Sequence, residues 1–126
     1  MLNTIGLVAV GGAIGAVCRY SMVLWAARMF GAGFPVGTMI VNIIGSFVMG
    51  MIAVVFMHKV HHPVIVPLVM TGVLGGFTTF SAFSLDALAL FEKGKIASAG
   101  FYVFGSVGLS IFALFLGLIC ARSIWA

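Results

Sequence analysis

Charge is missing from four stretches of this chain, each long enough to cross a lipid bilayer. Residues 2–18, 29–57 and 96–121 carry no charged side chain, and residues 60–85 carry only His61 and His62. A helix needs about twenty apolar residues to span the roughly 30 Å hydrocarbon core. Four helical spans are expected, near 3–27, 36–57, 64–90 and 97–121. Charged residues make up 6% of the 126, against roughly 25% in a soluble domain. Nothing remains for a water-soluble unit, and residues 1–126 read as one all-α, four-span membrane domain.

The connections are short. The first, 28–35, is punctuated by Gly31, Gly33 and Pro35, and the second, 58–63, ends on Pro63, suited to a first helical turn. The third, 91–95, holds Glu92, Lys93, Gly94 and Lys95. Adjacent spans therefore run antiparallel. No positive charge precedes the first apolar stretch and Gly15-Ala16-Val17-Cys18 is a poor cleavage site, so the start reads as a span rather than a leader. Cys18 and Cys120 fall in separate spans and read as apolar thiols. His58, His61 and His62 share one loop with no Cys or acidic partner, which suits a polar interfacial turn better than a metal site.

Four spans put both termini and the second connection on one side, with Lys59 and Arg122, while Arg28, Lys93 and Lys95 lie on the other. Cytoplasmic flanks ordinarily carry the excess of Lys and Arg, and here the two sides nearly balance. Two readings stay open: one weakly specified orientation, or insertion both ways round and an antiparallel dimer of a single sequence. Four helices are too few to enclose an aqueous pore, which favours an oligomer. Gly11-x-x-x-Gly15 and Gly12-x-x-x-Ala16 permit close helix approach, either within the subunit or between subunits.

The third stretch contains Gly75-Gly76-Phe77-Thr78-Thr79-Phe80-Ser81-Ala82-Phe83-Ser84, a poor composition for an uninterrupted helix in lipid. A helix broken near Gly75-Gly76 is expected. Broken backbone at bilayer depth is tolerated only inside protein or along a polar path, so function is sought here first. Phe80 and Phe83 share a face of the helix that follows, and taken alone they read as core or lipid-facing residues.

Polar groups in hydrocarbon are costly unless paired. Thr38, Asn42 and Ser46 recur every four residues on the second span, beside Gly45. The Asn42 amide offers two donors and an acceptor, to glue helices or to meet a solute. Tyr102, Ser106 and Ser110 recur every four residues on the fourth span, a hydroxyl track that stops at Leu114. Serines in membrane helices often bond back to their own backbone instead. Arg19 either snorkels to the interface or places a positive charge in an anion-attracting vestibule. Asp86, near the end of the third span, reads as an interfacial cap or salt-bridge partner.

With these residues in place, the chain resembles the Fluc (CrcB) family of fluoride channels over essentially its whole length. The likeness rests on Gly11-Gly12-Ala13-Ile14-Gly15-Ala16-Val17-Cys18-Arg19-Tyr20, on Gly37-Thr38-Met39-Ile40-Val41-Asn42-Ile43-Ile44-Gly45-Ser46-Phe47, and on Gly75-Gly76-Phe77-Thr78-Thr79-Phe80-Ser81-Ala82-Phe83, in that order. The resemblance implies an antiparallel, dual-topology homodimer in the bacterial inner membrane, with two antiparallel pores and passive, fluoride-selective flow. It implies that Asn42, Phe80, Ser81 and Phe83 belong to the fluoride path, and that Tyr102, Ser106 and Ser110 form its polar track. It also implies a structural sodium ion at the dimer interface, held by the backbone carbonyls of Gly75 and Thr78. This chain departs from the expected pattern twice. Ala82 stands where a Thr or Ser is expected, and Leu114 ends the track where some relatives continue with a hydroxyl.

The implied chemistry is coherent. Fluoride is strongly hydrated, and neutral donors from Asn42, Ser106 and Ser110 offset dehydration without the tight hold of a fixed cation. The edges of Phe80 and Phe83 carry partial positive charge. A restarted helix offers N–H groups to an anion, and broken backbone offers carbonyls to sodium. Weak-acid accumulation supplies the gradient: HF crosses lipid, fluoride is trapped inside, and the membrane potential assists its exit. A four-span multidrug antiporter is the main rival, and it needs a deep titratable carboxylate, for which Asp86 is the sole candidate. A non-transporting subunit of a larger complex does not account for Asn42, the third stretch and the hydroxyl stripe together. No nucleophile–base pair, metal set or phosphate loop marks an enzyme, and no nucleic-acid partner is expected.

Overall fold

The computed structural model describes residues 2–58 and 63–125, which are helical almost throughout and contain no strand. Helix α1 spans Leu2–Phe30 and α2 spans Val36–His58. A π-helical segment, Val66–Leu74, runs into the single turn α3, Gly75–Phe77. Helix α4 is Ser81–Glu92 and α5 is Ile96–Trp125. Among the described residues four segments are long and apolar enough to cross a membrane, Val66–Glu92 counting as one. The chain is a multi-pass, all-helical membrane protein. Of the second connection, Lys59, His61 and His62 lie outside the described residues.

Two glycines end helices. Gly31 (φ +81°) turns the chain after α1, which runs past the expected residue 27 so that Arg28 sits in its last turn, a place that suits a cation. Gly94 (φ +80°) follows α4. Its N–H bonds the Phe91 carbonyl at 3.0 Å and the Lys95 N–H bonds the Leu90 carbonyl at 3.0 Å. That paired closure turns the chain sharply into α5.

Lipid is as apolar as leucine, so the hydrophobic effect does not hold such helices together, and close backbone packing must. Helix α2 lies along α5, and α1 lies along the π-helical segment and α3. Glycines make both contacts. A Cβ at Gly50 would strike the Leu114 carbonyl, and one at Gly117 would strike the Phe47 carbonyl. A Cβ at Gly11 would strike the Leu68 carbonyl and one at Gly15 the Val73 carbonyl. The Gly11-x-x-x-Gly15 face therefore packs inside the subunit.

The third segment departs from a uniform α-helix. The Gly75 N–H reaches the Met70 carbonyl, five residues back, which is the hydrogen-bond step of a π-helix. Gly75 itself is helical (φ −62°, ψ −39°), and it is Gly76 that lets the segment approach α1. A Cβ at Gly76 would lie 2.5 Å from the Gly12 carbonyl. The non-helical residues are 78–80, with Thr78 extended at φ −86°, ψ 157°. Beyond them Phe83, Leu90, Ala99 and Tyr102 form a buried cluster where α4 meets α5. Phe34 of the first connection packs edge-on against Tyr102, with centroids 5.6 Å apart.

Candidate functional site

A helix that stops leaves carbonyls and N–H groups that need partners, and at residues 76 and 79 α1 and α2 supply them. Arg19 Nε of α1 donates to the Gly76 carbonyl at 3.1 Å. Asn42 of α2 engages Thr79 at two points: its Nδ2 donates to the Thr79 carbonyl at 2.9 Å, and its Oδ1 accepts from the Thr79 N–H at 2.7 Å. The reversed amide would set donor against donor, so the partners fix its orientation. Thr78 Oγ1 bonds back to the Leu74 carbonyl at 2.9 Å. Thr79 Oγ1 accepts the Ala82 N–H at 3.2 Å and lies 3.4 Å from Ser81 Oγ, so Thr79 starts α4 as an N-cap residue does. Gly45 gives α2 the clearance for this contact, since a Cβ there would strike Thr78 Cγ2.

A cavity of about 260 Å³ lies among α2, residues 78–80, α4 and α5. Asn42, Thr79, Phe80, Phe83, Ser106 and Ser110 line it, with Ser46 and Thr78. The Phe80 and Phe83 rings are 5.7 Å apart and tilted by 51°. Phe83 is buried, whereas Phe80 is 78% exposed on the single chain. Ser106 is 3% exposed. Among the described residues, neither Ser106 Oγ nor Ser110 Oγ has a hydrogen-bond partner. Elsewhere hydroxyls do bond back to their own helix, as Ser21 does to Val17 and Ser84 to Phe80, each at 2.9 Å. An unpaired buried hydroxyl costs about 1–3 kcal/mol.

The other predicted residues are distributed around this cavity. Tyr102 is fully buried and does not line it. Its ring lies 5.2 Å from that of Phe83, and its hydroxyl donates to Asp86 Oδ2 at 3.3 Å. Thr38 Oγ1 donates to the same oxygen at 2.9 Å. Hydroxyls from α2 and α5 are thus the partners of Asp86, in place of the cap or salt bridge expected. Ser81 is exposed and reaches the site only through Thr79. Arg19 is tied to the Gly76 carbonyl, and Gly75 is an exposed helical residue. Sequence reasoning missed Thr79, whose role depends on Asn42. It also missed the Thr38–Asp86–Tyr102 link, although Thr38 and Tyr102 each extend a polar stripe that faces the cavity.

A family model described as CrcB-like protein, Camphor Resistance (CrcB), matches residues 6–118. A protein of Ruegeria sp. (strain TM1040) is 54% identical over 98% of this chain and 98% of its own length. One from Cereibacter sphaeroides (strain ATCC 17029) is 52% identical over 97% of each chain. One from Agrobacterium fabrum (strain C58) is 47% identical over 99% of this chain and all of its own. All three are named fluoride-specific ion channel FluC. The match takes in Arg19, the Asn42 clamp, both phenylalanines and both unpaired serines, and the chain belongs to the CrcB (Fluc) family.

Proposed function

We propose that this chain is a fluoride-selective channel that lets fluoride leave the cytoplasm passively. One observation carries the reading: the buried, unpartnered hydroxyls of Ser106 and Ser110 face a cavity walled by Phe80 and Phe83. A small anion that sheds water needs donors, and two neutral hydroxyls four residues apart offer successive weak sites, which conduction requires. Phenylalanine edges add partial positive charge and exclude water. The names of the relatives support fluoride as the anion. Asn42, Phe80, Phe83, Ser106 and Ser110 wall the path, with Ser81 and Tyr102 behind it, and Arg19 contributes positive charge near its mouth. The activity is transport, not catalysis.

The working unit is an antiparallel, dual-topology homodimer in the bacterial inner membrane, with two antiparallel pores. Phe80 walls the cavity yet is 78% exposed on one chain, which suits completion of the path by a second copy. The third crossing works as a broken helix. Carbonyls of Gly75 and Thr78 suit a structural sodium ion at the dimer interface, because both have lost their helical donors. The Thr79 N–H goes to Asn42 instead of Gly75, and the Ala82 N–H goes to Thr79 Oγ1 instead of Thr78. Unwound carbonyls of this kind are hard ligands suited to sodium.

Fluoride efflux from liposomes holding the purified protein tests the reading, with chloride efflux as the control. Fluoride is expected to leave fast and chloride not, and Phe80→Ile is expected to slow fluoride at least about tenfold. Absence of fluoride efflux from folded protein, both as it stands and with Ala82→Thr, refutes it.

A further inference from the structure

We infer that Asn42 serves this channel as a positioning residue: its two-point clamp on the Thr79 backbone holds residues 78–80 out of the helix and sets Phe80 against the cavity. The inference rests on the channel reading above. The Asn42 Oδ1 and one Nδ2–H are committed to Thr79, at 2.7 and 2.9 Å. Released, the Thr79 N–H has a ready partner in the Gly75 carbonyl, four residues back, and the helix can grow forward from Gly75–Phe77. Phe80 is the next residue, and each added helical residue turns the following side chain by about 100°. Phe80 would then leave its position beside Phe83.

Thr79 is the hub of this arrangement. Its N–H and carbonyl are held by Asn42, and its hydroxyl accepts the Ala82 N–H that begins α4. Helix α2 carries both the clamp and the clearance it requires, since Gly45, three residues on, admits Thr78 where any side chain would collide. A polar side chain on a neighbouring helix thus maintains a local structure that the third segment's own backbone would abandon.

The 13Cα chemical shift of Thr78, read in protein labelled with 13C-threonine, tests the clamp directly. Thr78 is extended in the parent (φ −86°, ψ 157°), and in Asn42→Ala its shift is expected to move to the helical side as the segment winds up. The Thr71 shift, in the π-helical segment, stays where it is. If Asn42→Ala does not fold, the near-isosteric Asn42→Leu is measured in its place. An unchanged Thr78 shift overturns the clamp.

Conductance separates positioning from ligation. A lost clamp lowers the maximal fluoride conductance about 30-fold and leaves the half-saturating concentration within about twofold. A raised half-saturating concentration with the maximum retained makes Asn42 a ligand and overturns the inference. If the unaltered protein conducts no fluoride, the channel reading fails by itself, and the Thr78 shift still decides the clamp.

Discussion

Replacing Ser106 with alanine sets stability and conduction in opposition. The side chain is 3% exposed and its oxygen has no partner. Burying an unpaired hydroxyl costs about 1–3 kcal/mol, and Ser106→Ala removes that oxygen while keeping Cβ and the helix. The variant is therefore expected to be as stable as the parent or up to about 1 kcal/mol more stable, a rise of a few degrees in melting temperature. Conduction should move the other way. A hydrogen bond to a charged partner contributes about 1.5–3 kcal/mol, so its loss from an anion path slows flow about 10- to 100-fold. The two readouts are fluoride-electrode recording of efflux from liposomes and a thermal melt of the same preparation in detergent. A variant that melts earlier and conducts fully would show that the hydroxyl serves the fold, and the reasoning would fail.

Two further predictions concern the scaffold. Gly117→Ala drives a methyl into the Phe47 carbonyl and should cost about 1–3 kcal/mol by overpacking. Gly108→Ala, on the same helix but facing open space, should be neutral or stabilising by up to about 1 kcal/mol; equal melting temperatures for the pair would contradict the α2–α5 contact. Thr38→Val removes the 2.9 Å hydrogen bond to Asp86 and should cost about 1–2 kcal/mol, with Tyr102 left as the carboxylate's donor. An unchanged melting temperature would mean that this bond carries no stability.

Much of the architecture was legible because lipid imposes a coarse rule. Gaps between charges define the four crossings, and repeats at four-residue spacing place Asn42 with Ser46, and Ser106 with Ser110, on the faces that meet at the cavity. The third segment was harder because glycine has two meanings. Gly75-Gly76 was expected to disrupt the helix, yet Gly75 is helical and Gly76 serves contact with α1. The extended conformation falls at Thr78, where partners arrive from residues 37 and 57 positions away in sequence. No local pattern encodes such a partner. Asp86 posed the same difficulty: its position on the span suggested an end, whereas its surroundings are hydroxyls from two other helices. The Ser106 and Ser110 hydroxyls were visible as residues, but only tertiary structure could reveal that they lack partners.

The direction of dependence at residues 78–80 bears on how the protein is made. Arg19 and Asn42, which bond the Gly76 carbonyl and the Thr79 backbone, both precede the segment in the chain. Synthesis from the N-terminus delivers α1 and α2 to the bilayer before the third crossing leaves the ribosome. The segment that hydrocarbon would reject alone thus enters a membrane where its partners already stand. With the chain order reversed, unsatisfied peptide groups would wait in lipid for helices not yet translated. The two crossings that supply this support come before the one that needs it.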